Sequence, residues 1–111
     1  NDDNGVKESQ KEKTMTRQEN RKLSAEIIQA RSKALKPLQA KMLAIESAIE
    51  DLEEKIDQDN DLLIEASEAE QGELIRKYSK QIADHNREIE HLFAQLEKYS
   101  KEHAALKESF D

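Results

Sequence analysis

The chain has 111 residues, of which 39% are charged and 4% are aromatic, and its formal net charge at pH 7 is −7. It contains only 2 glycines and 1 proline, so it offers few residues for tight turns and little aromatic volume for a thick core. The absence of cysteine excludes a disulfide framework and a thiolate metal site, and it fits a reducing compartment. These features favour an all-α protein built from long helices.

The sequence contains no apolar run of about 18 residues and no charged-then-apolar leader. We therefore expect neither a membrane span nor a secretory signal, and we predict a cytoplasmic protein. The chain opens at Asn1 rather than at a methionine, which suggests a segment of a longer protein. Residues 1–15 are polar and charged and lack apolar periodicity, so we expect them to form a disordered linker.

Two heptad patterns define the expected helices. In each, apolar residues recur at alternating steps of three and four, which is the pattern of a coiled-coil seam. The first seam consists of Leu35, Leu38, Met42, Ile45, Ile49, Leu52, Ile56 and Leu63, with Asp59 at the one position that is not apolar. The second consists of Ile75, Tyr78, Ile82, His85, Ile89, Leu92, Leu96, Tyr99, His103, Leu106 and Phe110.

The segment between the seams decides whether the chain continues straight or turns back. Extending the first register beyond Leu63 places a series of charged residues on a buried stripe, which is unfavourable. The segment is polar and contains Gly72, so we predict that the chain folds back there. The predicted boundaries are helix 1 at about 17–62, a connection at about 63–73 and helix 2 at about 74–110, within one hairpin domain over 16–111.

The predicted fold is an antiparallel two-helix coiled-coil hairpin with arms about 60 Å long. Pairing the seams so that opposed residue numbers sum to about 138 sets Ile49 against Ile89, although a slip of one heptad also pairs apolar layers. Pro37 falls inside the first arm, where it should kink the helix or mark the junction with an upstream segment.

Charge is divided unevenly along the chain. Residues 1–36 have a net charge of +3, whereas residues 37–111 have a net charge of −10. The basic residues at the open end of the predicted hairpin are Arg17, Arg21, Lys22, Arg31, Lys33 and Lys36, and the acidic residues at its tip are Asp57, Asp59, Asp61, Glu65, Glu68, Glu70 and Glu73. The basic group could bind nucleic-acid phosphates, whereas ordinary solvated helix faces would give the same pattern without any ligand.

Catalytic motifs are absent from the sequence. It has no phosphate-binding loop, no dinucleotide-binding glycine motif and no His-Glu-x-x-His zinc motif, so we expect no enzymatic activity and no cofactor in this segment. Glu88 and His91 form a single Glu-x-x-His spacing, whereas di-iron helical bundles need two such pairs and two further glutamates. We therefore expect no metal site, and we interpret His85 and His103 as seam residues.

The stretch "TRQENRKLSAEIIQARSKALKPLQAKMLAIESAIEDLEEKI", Thr16 to Ile56, resembles the opening of the C-terminal coiled-coil domain of ABC-F ATPases of the Uup-like and YheS-like kind. That family typically has a basic opening, a proline segment of the form L-x-P-L-x-K and heptads containing Leu-Glu pairs. The matching residues are Arg17, Arg21 and Lys22, then Leu35, Pro37, Leu38 and Lys41, then Ile45, Glu46, Leu52 and Glu53. The second arm, "LIRKYSKQIADHNREIEHLFAQLEKYSKEHAALKE", is similar to the family's returning helix.

The resemblance implies that this chain is one part of a larger ATPase. ABC-F proteins carry two ATP-binding cassettes, lack a membrane domain and act on the ribosome in translation, so ATP and Mg²⁺ would bind in a parent protein upstream of Asn1. The hairpin would then be an accessory module that binds DNA or ribosomal RNA through the six basic residues. The alternative is a protein-docking or spacing arm that contacts ribosomal proteins, the parent's cassettes or a second copy, with its acidic tip as one point of contact.

Overall fold

The computed structural model describes the backbone of residues 2–110 and the side chains of residues 16–110. Helix α1 spans Asp2–Glu68 and helix α2 spans Gly72–Ser109, and the two pack along one another as an elongated hairpin. No strand occurs in this part of the chain, so the predicted all-α helical hairpin is confirmed. The disordered linker predicted for residues 1–15 lies outside the residues whose side chains are described, and it stays a prediction.

The hairpin is held together by the two predicted seams, every residue of which is buried or half-buried. Its most buried cluster consists of Ile45, Ile49, Leu52 and Ile89, against which Ile56, Leu92, Leu96 and Tyr99 pack. Burial of these side chains supplies the main stabilising free energy, since a single pair of helices has no other apolar layer. The molecule is only 17 × 14 Å in cross-section, so its core is one seam wide.

The connection between the helices is shorter than the predicted segment 63–73. Only residues 69–71 connect the two helices. The reason is that α1 continues to Glu68, through residues that were predicted to belong to the connection. The physical reason is Ala66, which occupies the seam position after Leu63 and is only 3% exposed. The seam thus extends one step further, and no glycine or proline lies between Leu63 and Gly72 to end the helix earlier.

Helix α1 ends in a Schellman motif. The backbone N–H of Gln71 donates to the carbonyl of Ala66 over 2.9 Å, and the N–H of Glu70 donates to the carbonyl of Ser67 over 3.2 Å. Glu70 has a φ of 55°, in the left-handed region that glycine usually occupies at this position. These two hydrogen bonds satisfy terminal carbonyls of α1 while the chain reverses within three residues.

The pairing register differs from the predicted one. Contacts between the side chains of the two helices include Lys41 with Tyr99, Gln39 with His103, and Asp59 with His85. Their residue numbers sum to 140, 142 and 144, whereas the sequence predicted a sum of about 138. The difference follows from the turn, since a connection over residues 69–71 is centred on residue 70 and alone requires a sum near 140.

Candidate nucleic-acid interface

Helix α1 extends beyond the end of α2 at the open end of the hairpin. Every residue from 16 to 30 is exposed, and the first buried residue of α1 in the described part of the chain is Leu35. We call residues 16–30 the overhang. At 1.5 Å per residue, the overhang projects as a single helix for about 22 Å beyond the paired helices. The predicted bounds, 17–62 and 74–110, already made helix 1 the longer helix, but the length of the overhang depends on where α2 ends relative to α1.

The overhang and its junction with the paired helices carry all six basic residues that the sequence singled out. The structure places Arg17, Arg21 and Lys22 on the overhang, and Arg31, Lys33 and Lys36 at the junction. Arg31 is half-buried and the other five are exposed. Since Glu19 and Glu26 are the only acidic residues in the range 16–36, this range has a net charge of +4.

The basic residues lie on two sides of the helix rather than on one face. Counting heptads back from the seam places Arg17, Arg21 and Arg31 on the continuation of the seam line, and Lys22, Lys33 and Lys36 on the opposite side. A helix with positive side chains on both flanks can contact phosphates on both walls of a groove. This arrangement suits a nucleic-acid groove better than a flat anionic surface.

The dimensions of the helices decide which part of the molecule can enter such a groove. The major groove of B-form DNA is about 12 Å wide and admits a single α-helix. Two helices packed side by side, each about 10–12 Å across with its side chains, are too wide to enter it. Within the described residues, the overhang is the part of the hairpin in which one helix stands alone.

The opposite end of the hairpin is acidic, as predicted from the sequence, but one of its seven acidic residues is not at the surface. Asp59 is buried in the seam with 8% exposure, whereas the other six are exposed. The Oδ2 atom of Asp59 lies 3.5 Å from Nε2 of His85. Asp59 is therefore removed from the predicted acidic contact surface, because it occupies the seam position between Ile56 and Leu63.

The described residues contain neither a cluster of metal ligands nor a stretch that could span a membrane. No group of three or more histidine, cysteine, aspartate or glutamate side chains there could hold a metal ion. Neither helix, over the described residues, has a stretch long and apolar enough to cross a membrane. Comparison with models of protein families, with curated proteins and with solved structures finds no match to this chain.

Proposed function

We propose that this chain is an accessory nucleic-acid-binding hairpin of a cytoplasmic ABC-F ATPase that acts in translation, and that it binds DNA or ribosomal RNA through the overhang and its junction. The observation that carries the proposal is a solitary exposed helix within a segment of net charge +4. Neutralising phosphates with these side chains releases counterions, which drives binding without base contacts. The link to ABC-F proteins rests on the resemblance of Thr16–Ile56 and of the returning helix.

The charge of the rest of the hairpin gives this interaction a direction. Residues 37–111 have a net charge of −10, and no basic residue lies between Lys55 and Arg76 around the turn. Phosphates are repelled from that end, so nucleic acid approaches the open end of the hairpin. The acidic end would then point away from the bound nucleic acid.

A salt titration tests the proposal. The purified chain is titrated against labelled duplex DNA and a structured ribosomal RNA fragment at about 50 and 200 mM salt, beside a triple variant Arg17→Ala, Arg21→Ala, Lys22→Ala. We expect salt-sensitive binding by the wild type. In the variant, the slope of log K against log salt should fall by about one for each phosphate contact removed.

A second triple variant, Arg76→Ala, Lys77→Ala, Lys80→Ala, controls for net charge. It removes three exposed positive charges from the acidic end of the hairpin and leaves the overhang intact. Equal loss of binding in both variants would mean that net charge, and not the overhang, governs affinity. Absence of binding to either nucleic acid at the lower salt concentration would contradict the proposal.

Two exposed apolar residues at the acidic end favour the alternative, a protein-docking arm. Leu62 is 39% exposed and Ile64 is 57% exposed, and both lie among acidic side chains, as a contact for a basic protein surface requires. Binding of purified ribosomes distinguishes the two functions. Loss of binding in a variant with Glu65→Lys, Glu68→Lys and Glu73→Lys, but not in the overhang variant, would support protein docking, and the reverse result would support nucleic-acid binding.

A further inference from the structure

A second apolar stripe runs along α1 beside the seam. It contains Leu23, Ile27, Ala30, Ala34, Ala44 and Ala48, with Pro37 and Lys41 at the two intervening positions, and its steps alternate between four and three. By heptad geometry its centre lies about 100° around the helix from the centre of the seam. Helix α2 therefore reaches only its edge: Ala34 and Ala48 are half-buried, whereas the other four apolar residues are exposed.

The large side chains of the stripe lie on the overhang, where α2 does not reach. Leu23 is 53% exposed and Ile27 is 48% exposed, although they follow one another by four residues on one face of the helix. Two heptad stripes on one helix are typical of a helix that packs against two neighbours. Within the hairpin, α2 is the neighbour that covers the seam. No second helix covers the other stripe in the described residues.

The sizes of the side chains indicate which helix can cover the stripe. Its two large residues lie at the N-terminal end, and its C-terminal end contains alanines. We consider α1 of a second copy packed antiparallel to α1 along the stripe, with the numbers of opposed residues summing to about 71. Leu23 then faces Ala48 of the second copy, and Ile27 faces Ala44 of the second copy. Each large side chain then fills the space beside a small one, and the alanines allow the two α1 helices to approach closely.

The charges flanking the stripe fit the same arrangement. The described segment 16–36 is positively charged. In the proposed arrangement it lies beside α2 of the second copy. Glu88 and Glu102 lie on the side of α2 that is next to the stripe of its own α1. In the register given above, Arg17 lies level with Glu88 of the second copy. Within one chain these two residues are about 54 Å apart along the hairpin, because Glu88 is level with residues near 53 of α1. Their charges can therefore complement one another only between copies.

We propose that the chain forms a closed antiparallel dimer with a second copy of itself through the stripe from Leu23 to Ala48 of α1. The same surface of both copies is used, so a twofold axis relates them and no open filament forms. This inference does not depend on nucleic-acid binding. It excludes groove entry by the dimeric form, because in the dimer the overhang lies beside α1 of the second copy and no longer stands alone. Lys22, Lys33 and Lys36 lie on the far side of α1 from the seam and stay exposed in the dimer, which would present two copies of this basic surface.

Disulfide trapping tests the pairing directly, because the chain contains no cysteine of its own. Two single variants are made, Ile27→Cys and Ala44→Cys, and each is oxidised alone and in an equimolar mixture. The mixture should give a disulfide-linked dimer, whereas each variant alone should not, because identical positions are about 25 Å apart in the proposed register. Equal cross-linking of one variant alone, or none in the mixture, would overturn the proposal.

Sedimentation equilibrium at about 100 µM chain gives an independent measure. We expect twice the chain mass of 12.8 kDa for the wild type. The pair Leu23→Glu and Ile27→Glu should weaken dimerisation by about tenfold or more, because it places charge in the apolar stripe. Leu43→Glu is the matched control: this residue is 66% exposed and lies away from both stripes, so dimerisation should not change. A monomeric wild type would contradict the proposal.

A charge exchange completes the test without altering the stripe. Arg17→Glu and Glu88→Arg should each weaken the dimer by about twofold to fivefold, and the double variant should restore it. Retained helical circular dichroism in each variant excludes unfolding as the cause. Additive losses in the double variant would show that these residues do not meet, and would overturn the register.

Discussion

The Oδ2 atom of Asp59 lies 3.5 Å from the Nε2 atom of His85, across the seam between α1 and α2. The Asp59 side chain is 12% exposed and that of His85 is 23% exposed, and Oδ2 makes no hydrogen bond within the described residues. A polar residue in a coiled-coil seam lowers stability but fixes register. A slip of one heptad would set Asp59 against Tyr78 or Leu92, so the pair with His85 favours the register that the hairpin adopts.

Replacing Asp59 with leucine should stabilise the hairpin. The change removes a buried carboxylate and continues the apolar seam between Ile56 and Leu63, so we expect the free energy of unfolding to rise by about 1 kcal/mol or more. Urea unfolding followed by circular dichroism measures it. Asp57→Leu, at an exposed position, is the control and should change stability by less than about 0.5 kcal/mol. Destabilisation by Asp59→Leu would mean that the contact with His85 stabilises the fold.

Truncation of Ile49 should reveal how strongly the seam determines stability. Ile49 is 5% exposed in the central cluster, so Ile49→Ala should lower the free energy of unfolding by about 2 to 3 kcal/mol. Leu43→Ala removes a side chain of the same size from a position that is 66% exposed, and its effect should be below about 0.5 kcal/mol. Similar losses in the two variants would show that Leu43 is covered by something other than α2.

The seam was predictable from sequence because heptad spacing reports burial directly. Residues such as Leu52 and Ile89 are buried in the structure, as their positions predicted. The turn was less predictable, since the residues before it are good helix formers and the small side chain of Ala66 gives little signal of burial. Because the predicted turn was displaced by a few residues, the predicted pairing register was displaced along the whole hairpin. The predicted register therefore did not place Asp59 beside His85.

Glycine at position 70 should stabilise the turn. Glu70 has a φ of 55°, which disfavours any residue with a Cβ atom, so Glu70→Gly should raise the free energy of unfolding by about 0.5 to 1 kcal/mol. Thermal unfolding is a suitable measurement. Glu65→Gly provides the opposite case, because Glu65 lies within α1. This substitution should lower the free energy of unfolding by about 0.5 to 1 kcal/mol. A neutral or negative effect of Glu70→Gly would show that the glutamate side chain makes a compensating interaction.

Removing the proline of α1 should also increase stability. Pro37 lies inside α1, where it cannot donate the backbone hydrogen bond of a regular helix, so Pro37→Ala should stabilise the chain by about 1 to 3 kcal/mol. Adding a second proline, as Ala40→Pro in the wild-type chain, should destabilise it by a similar amount. If Pro37→Ala leaves unfolding unchanged, then the helix on the open side of Pro37 does not unfold together with the rest of the hairpin.

The basic candidate site was predictable in composition but not in shape. Charge counting alone identified Arg17, Arg21 and Lys22, because long basic side chains are exposed in almost any helix. That they stand on a solitary helix depends on the relative lengths of α1 and α2, which no local pattern records. The second stripe on α1 escaped the sequence analysis for a related reason, since alanine and proline do not stand out as apolar seam residues.

The three-residue connection closes the hairpin covalently at one end only. Each seam residue packs against the opposite helix alone, so the pairs can separate one after another from the open end while those near the turn stay formed. Amide hydrogen exchange should therefore be fastest near Leu35 and Leu106 and slowest beside Leu52 and Ile89. Local opening is thus concentrated at the positively charged end of the molecule, where the helices can adjust to a bound ligand without loss of the fold.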